Sequence, residues 1–201
     1  MIKYKKHMSA VWFLVFAFGF LSQPAQAENY AVDMAHAQIG FTVKHLMMTD
    51  VHGQFKTFEG VVDYNKDDVS KSNFAMTVLV DSIDTGVEKR DEHLKTGDFF
   101  KVDEFPNIRF ESTSVRGTPD HLTVAGNLTM RGVTKPVTFD AKVMGPVSHP
   151  MGGEVISISG ETTINRQDFG VSWNKTLDQG GVMVGDDVKI NISLEAKKLT
   201  E

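Results

Sequence analysis

The 201-residue chain contains no cysteine. That absence removes disulfide staples, thiolate nucleophiles, thiol redox chemistry, cysteine-based zinc sites and any thiol acceptor for a lipid anchor. Basic residues are not in excess: 21 Lys and Arg stand against 26 Asp and Glu, a formal net charge of −5. Nucleic-acid binding calls for a basic stripe, so that class of partner is set aside. The chain lacks a Gly-x-Ser-x-Gly elbow, a phosphate-cradling glycine loop and a His-Glu-x-x-His pair. His36, His45, His52, His93, His121 and His149 are scattered without metal-ligand spacing. Only a folded cluster of His45, His52 and His93 stays open as a metal arrangement. Asp67-Asp68 and Asp186-Asp187 fall beside expected turns and read as solvated turn residues. The expectation is no enzyme, no cofactor and no metal.

Long apolar runs are also scarce, and the one from Met8 to Leu21 follows Lys3, Lys5 and Lys6. It is short for a bilayer span, and Ala25-Gln26-Ala27 offers the small residues that a signal peptidase reads. The expectation is a cleavable secretory leader over residues 1–27, cut after Ala27, and export to the periplasm as a chain with no membrane segment. Removing it takes away three lysines and no acids, which moves the net charge to about −8. Residues 28–201 then form one domain, large enough to bury a core without disulfides.

That domain alternates apolar and polar residues with the period of a half-buried strand. Ile39, Phe41 and Val43 share a face, as do Phe74, Met76, Val78 and Val80. The pattern repeats through Leu122 to Met130, Val137 to Val143, Ile156 to Ile164 and Val188 to Ala196. Further strands are expected at 52–65 and 107–116. About eight strands with one wet face each predict an all-β antiparallel sheet, as a sandwich or a barrel. Gly126 and Gly160 suit bends or bulges.

The stretch from Ser82 to Pro106 breaks the alternation. Val87, Leu94, Phe99 and Phe100 are spaced as anchors of a short helix near residues 87–96, among charged residues. Ser82-Ile83-Asp84-Thr85-Gly86, Arg90-Asp91, His93-Leu94, Asp98-Phe99-Phe100 and Phe105-Pro106 resemble the YceI family of bacterial periplasmic lipid-binding proteins. Phe41 to Leu46, Gly126 to Val137, Asn165 to Gly170 and Val184 to Val188 match in the same order. The resemblance implies an eight-stranded antiparallel lipocalin-like β-barrel holding a long isoprenoid or fatty chain. Two departures stand out: Ala37 replaces a serine in the Asp33–Ala37 entry, and Lys95 stands where Arg is common.

The inward candidates are Phe41, Val43, Phe74, Met76, Val78, Phe110, Leu128, Met130, Phe139, Ile190 and Ile192. Periodicity does not separate a filled core from an apolar tunnel; the resemblance implies the tunnel. His45, Arg90, Asp91 and His93 admit two readings. They form a polar mouth that meets a ligand headgroup, or a network that pins the helix to the rim, for which an Arg–carboxylate fork is suited. Asn165, Arg166 and Asp168 pose the same question, beside a plug residue and turn at Phe169-Gly170. Arg131 reads as a turn residue supporting a neighbouring carboxylate. The expected function is binding, transport or sequestration of a long-chain amphiphile: a polyisoprenoid, a quinone, or a fatty acid or amide. The rivals are an enzyme modifying a bound isoprenoid or quinone, and a stress-related interaction module without ligand. The resemblance leaves a homodimer open.

Overall fold

A computed structural model describes residues 27–177 and 180–199. The expected leader lies outside these apart from Ala27. The strands are β1 (Glu28–His45), β2 (Thr49–Phe55), β3 (Phe58–Tyr64), β4 (Asn73–Leu79), the two-residue β5 (Ile83–Asp84), β6 (Asn107–Thr118), β7 (His121–Met130), β8 (Val133–Ser148), β9 (Glu154–Asn165) and β10 (Val184–Lys198). The helix α1 spans Glu88–Lys95.

The sheet runs β10-β9-β8-β7-β6-β4-β3-β1, and β1 pairs back onto β10. That pairing, from Tyr30↔Lys198 to His45↔Val184, closes an eight-walled antiparallel barrel. Strands β2 and β3 occupy one wall. β3 pairs with the first residues of β1, and β2 with Ile39–His45. The single strand expected at 52–65 therefore breaks in two. Ser82 fills the break: its carbonyl accepts from Lys56 N at 3.1 Å and its hydroxyl from Thr57 N at 3.0 Å. Two residues between Phe55 and Phe58 reset the alternation, so both phenylalanines are buried.

Inward residues form three layers. At one end Tyr30, Val115, Leu122, Val143, Ile156 and Ala196 are almost wholly buried and form a floor. At the other, Phe99, Leu128, Met130, Ile164, Phe169 and Val171 form a second cluster. Phe169 is buried there as the plug, and Gly170 takes the left-handed conformation that ends its turn. Between the clusters, Phe41, Phe74, Met76, Phe110, Ile190 and Ile192 point inward but are only half-buried. The register slips between Ser112 and Ser114 opposite Gly126, as expected of a bulge. Gly160 sits in regular register with Ala141 and Ile192, so no bulge is needed there.

Helix α1 has eight residues, too few to be stable alone. Its charges suit the helix dipole, with Glu88 and Asp91 in the first turn and His93 and Lys95 in the last. Leu94, Phe99 and Phe100 anchor it to the barrel interior, as the spacing implies. Val87 does not: it is 48% exposed, because it serves as the N-cap residue and faces away from the barrel.

Candidate functional site

The half-buried middle layer encloses a cavity of ≈ 200 Å³. All eleven inward candidates line it, from Phe41 and Val43 on β1 to Ile190 and Ile192 on β10. Phe55, Val62, Ile158 and Leu194 line it as well. Phe55 escaped the sequence pattern because the break at Lys56–Thr57 interrupts its alternation with β3. Leu94, Phe99 and Phe100 extend the lining from α1 and the loop after it. Aromatic rings run along the wall, with Phe41–Phe55 centroids 5.7 Å apart, Phe55–Phe100 6.2 Å and Phe110–Phe139 5.2 Å.

Among the described residues, Arg166 is the one charged residue at this cavity. Its side chain is 5% exposed, and all five of its N–H donors are taken. Nε donates to the Gly185 carbonyl at 2.9 Å, and Nη1 to the Val171 and Trp173 carbonyls at 2.6 and 2.9 Å. Nη2 donates to the Val184 carbonyl and to Asp186 Oδ1, at 3.3 and 3.1 Å. Burial pulls the guanidinium pKa down and the Asp186 carboxylate opposes it. The arginine ties the segment after β9 to the start of β10, and no donor remains for a ligand headgroup. Among the described residues, no buried side-chain nitrogen or oxygen lacks a hydrogen-bond partner.

The other polar candidates do not line the cavity. Arg90 donates to Thr85 through Nε to the hydroxyl, at 2.7 Å, and through Nη2 to the carbonyl, at 2.8 Å. Asp91 accepts from Thr85 N at 2.9 Å. The expected Arg–carboxylate fork is replaced by two side chains gripping one threonine, which pins α1 to β5. Lys95 adds an ion pair to Asp81 at 3.1 Å, and that contact raises its pKa. His93 pairs with Asp98 at 2.8 Å and packs edge-on against Phe99 and Trp173, with centroids 5.1 and 5.2 Å away. It joins the two segments that cover this end. Arg131 does so too, donating to the carbonyls of Gly97, at 2.7 Å, and Gly170. Its partners are carbonyls and not the carboxylate expected, because the β7–β8 turn sets it between two loops that present carbonyls. Asn165 caps the turn after β9 by accepting from Gln167 N at 2.9 Å. Asp168 is exposed and His45 ends β1 opposite Thr49.

His45, His52 and His93 do not come together as a metal-ligand group among the described residues. The group that does is Asp33, His36 and Glu195, on the outer face where the β1 register slips. Lys197 already reaches Asp33 at 2.8 Å. That contact, with His36 and the Ala35 N–H, holds the Asp33 carboxyl well below the usual carboxylate range. Ala37 packs against the core near the floor, so the missing serine lies away from the covered end.

A closed eight-stranded antiparallel barrel around an apolar cavity, covered at one end by a short helix, is a lipocalin-like architecture. The YceI-like domain model matches residues 30–196, and the chain belongs to that family. The UPF0312 protein SA2479 of Staphylococcus aureus is 41% identical over 168 residues, covering 83% of this chain and 96% of that one. Among solved structures, Burkholderia cenocepacia BcnA superposes with a TM-score of 0.72 at 24% identity, over 82% of this chain and 98% of its own. A polyisoprenoid binding domain from Saccharophagus degradans has the same fold, with a TM-score of 0.63 at 12% identity, over 85% of this chain and 98% of its own.

Proposed function

We propose that this protein binds the long apolar chain of an amphiphilic lipid inside the barrel and carries or sequesters it in the periplasm without changing it chemically. A polyisoprenoid or a quinone tail is the favoured ligand, and a fatty acid or amide the alternative. The observation that carries this reading is the half-buried, wholly apolar middle layer between two buried ends. A fully buried Val, Leu, Ile or Phe side chain gains about 1.5–3 kcal/mol. An evolved dry core would not leave six large side chains short of that gain. An apolar ligand restores it.

Size and energy set the scale of the ligand. A cavity of about 150 Å³ holds a benzene-sized group, so this one encloses on the order of eight carbons of a chain. At roughly 0.8 kcal/mol per buried methylene the enclosed part offers about 6 kcal/mol gross, before association costs of several kcal/mol. A longer polyprenyl chain has to fold back or protrude.

The test is native mass spectrometry of the mature protein purified without detergent, followed by solvent extraction. A discrete adduct that extracts as a prenyl or acyl chain is the expected result. A bare mass that stays bare after incubation with quinones, polyprenols and fatty acids overturns the reading. Trp173 gives a second readout. The other tryptophan, Trp12, lies in the expected leader, so the fluorescence of the mature chain reports on the covered end alone.

A further inference from the structure

Three inward positions of the barrel wall are glycines lying beneath large side chains. A Cβ on Gly53 would fall 2.3–2.9 Å from three ring atoms of Phe41. On Gly60 it would meet Met76 Cε and Sδ at 2.8 and 2.9 Å, and on Gly126 the Phe110 ring at 2.5 and 2.6 Å. Real Cβ atoms essentially never come that close. None of the three glycines has a positive φ, so the backbone does not require them. What each supplies is a missing side chain. Phe41, Met76 and Phe110 all line the cavity, and the far end of each side chain rests over its glycine. The glycines come from β2, β3 and β7, and the covering side chains from β1, β4 and β6, so the device recurs around the barrel. Gly160, in the same layer, shows what an uncovered glycine looks like: its nearest neighbour to an added Cβ is 3.5 Å away.

We propose that Gly53, Gly60 and Gly126 set the bore of the cavity, letting Phe41, Met76 and Phe110 recline so that the lumen admits a chain wider than a straight hydrocarbon. The proposal rests on the lipid-binding reading above and assigns its selectivity to these positions. A methyl-branched chain has the larger cross-section. It loses most when a ring is forced off the wall, whereas a straight chain can pass.

The experiment titrates the lipid-free mature protein with geranylgeraniol and with octadecanol, read by Trp173 fluorescence, with circular dichroism confirming the fold. Gly53→Ala is the cleanest variant, because its clash is with a rotatable ring. Gly60→Ala carries the same test independently, against the flexible Met76. Gly126→Ala also meets the Glu111 carbonyl at 2.5 Å and is expected to lose stability, so it is not used. The expected result is binding of geranylgeraniol weakened by about tenfold with octadecanol changed much less. Adding Phe41→Leu to Gly53→Ala, which shortens the displaced side chain, restores the branched-chain affinity. Equal losses for both alcohols, no loss in either variant, or no rescue overturns the bore assignment while leaving lipid binding intact. A wild-type protein that binds neither alcohol overturns the lipid-binding reading and the bore with it.

Discussion

Arg166 and Phe74 show how residues of opposite character serve the same cavity. Arg166 is buried only because four carbonyls and a carboxylate absorb its donors, and removing it strands them all. Arg166→Met is expected to lower stability by about 3 kcal/mol in urea denaturation, since unpaired buried acceptors and a lone Asp186 remain. Preference among headgroups on one chain should not change. A shift in that preference in a folded variant would mean that the arginine does meet the ligand. Phe74 is half-buried against empty space. In a filled core Phe→Ala costs about 3–5 kcal/mol. Phe74→Ala is expected to cost clearly less than that and to move the preferred chain length upward, checked by thermal melts and by extraction of bound lipid. A full core-sized loss with an unchanged ligand profile would argue for a packed barrel.

Helix α1 is an element whose order is borrowed. Eight residues do not hold a helix in water, so α1 depends on the grip of Arg90 and Asp91 on Thr85 and on Leu94, Phe99 and Phe100 beneath it. Asp91→Ala removes a charged acceptor from Thr85 N and is expected to cost about 1–3 kcal/mol locally. Hydrogen exchange should quicken across 85–106 while the β6–β10 walls stay protected, and bound lipid should leave faster. Uniform loss of protection would instead make the helix part of the global fold. The second cover, from Arg166 to Trp173, is fastened by Arg131 and His93, so the two segments over the cavity are coupled to each other.

At the scale of the molecule, groups at and near the floor of the barrel govern the response to both extremes of pH. Tyr30 is fully buried in the floor, and burial, helped by its hydrogen bond to Glu28, pushes its pKa from 10.0 up to about 12. The folded state keeps that proton where the unfolded chain has lost it. Stability is therefore intact below pH about 10 and is expected to fall as pH rises toward 12, by up to about 1.4 kcal/mol per unit from this group. Tyr30→Phe should flatten that slope in melting curves taken across the range; an unchanged slope would assign it elsewhere. On the acid side, Lys197 beside Asp33 and Lys198 beside Glu28 hold those carboxyls below their usual values. Their contribution is present above the ordinary carboxylate range and is lost as pH falls from there through their lowered values.

Strand periodicity is a local property, and it was legible. The alternation from Val188 to Ala196 or from Leu122 to Met130 names its inward face without any partner strand, because one buried face demands it. Eleven of the cavity-lining positions follow from that alternation, and the Ser82–Pro106 interruption marks the cover. Three things depended on partners distant in the chain. The pairing of β1 with β10 made a barrel of a sheet that could also have folded as a sandwich. Three glycines lie beneath Phe41, Met76 and Phe110, a relation across strands that no single strand contains, and the bore proposed above rests on it. The roles of Arg90, Arg131 and Arg166 were set by which carbonyls and hydroxyls the loops delivered to them. An arginine in a sequence declares a charge, and only the folded chain determines whether its donors are spent on the protein or left for a ligand.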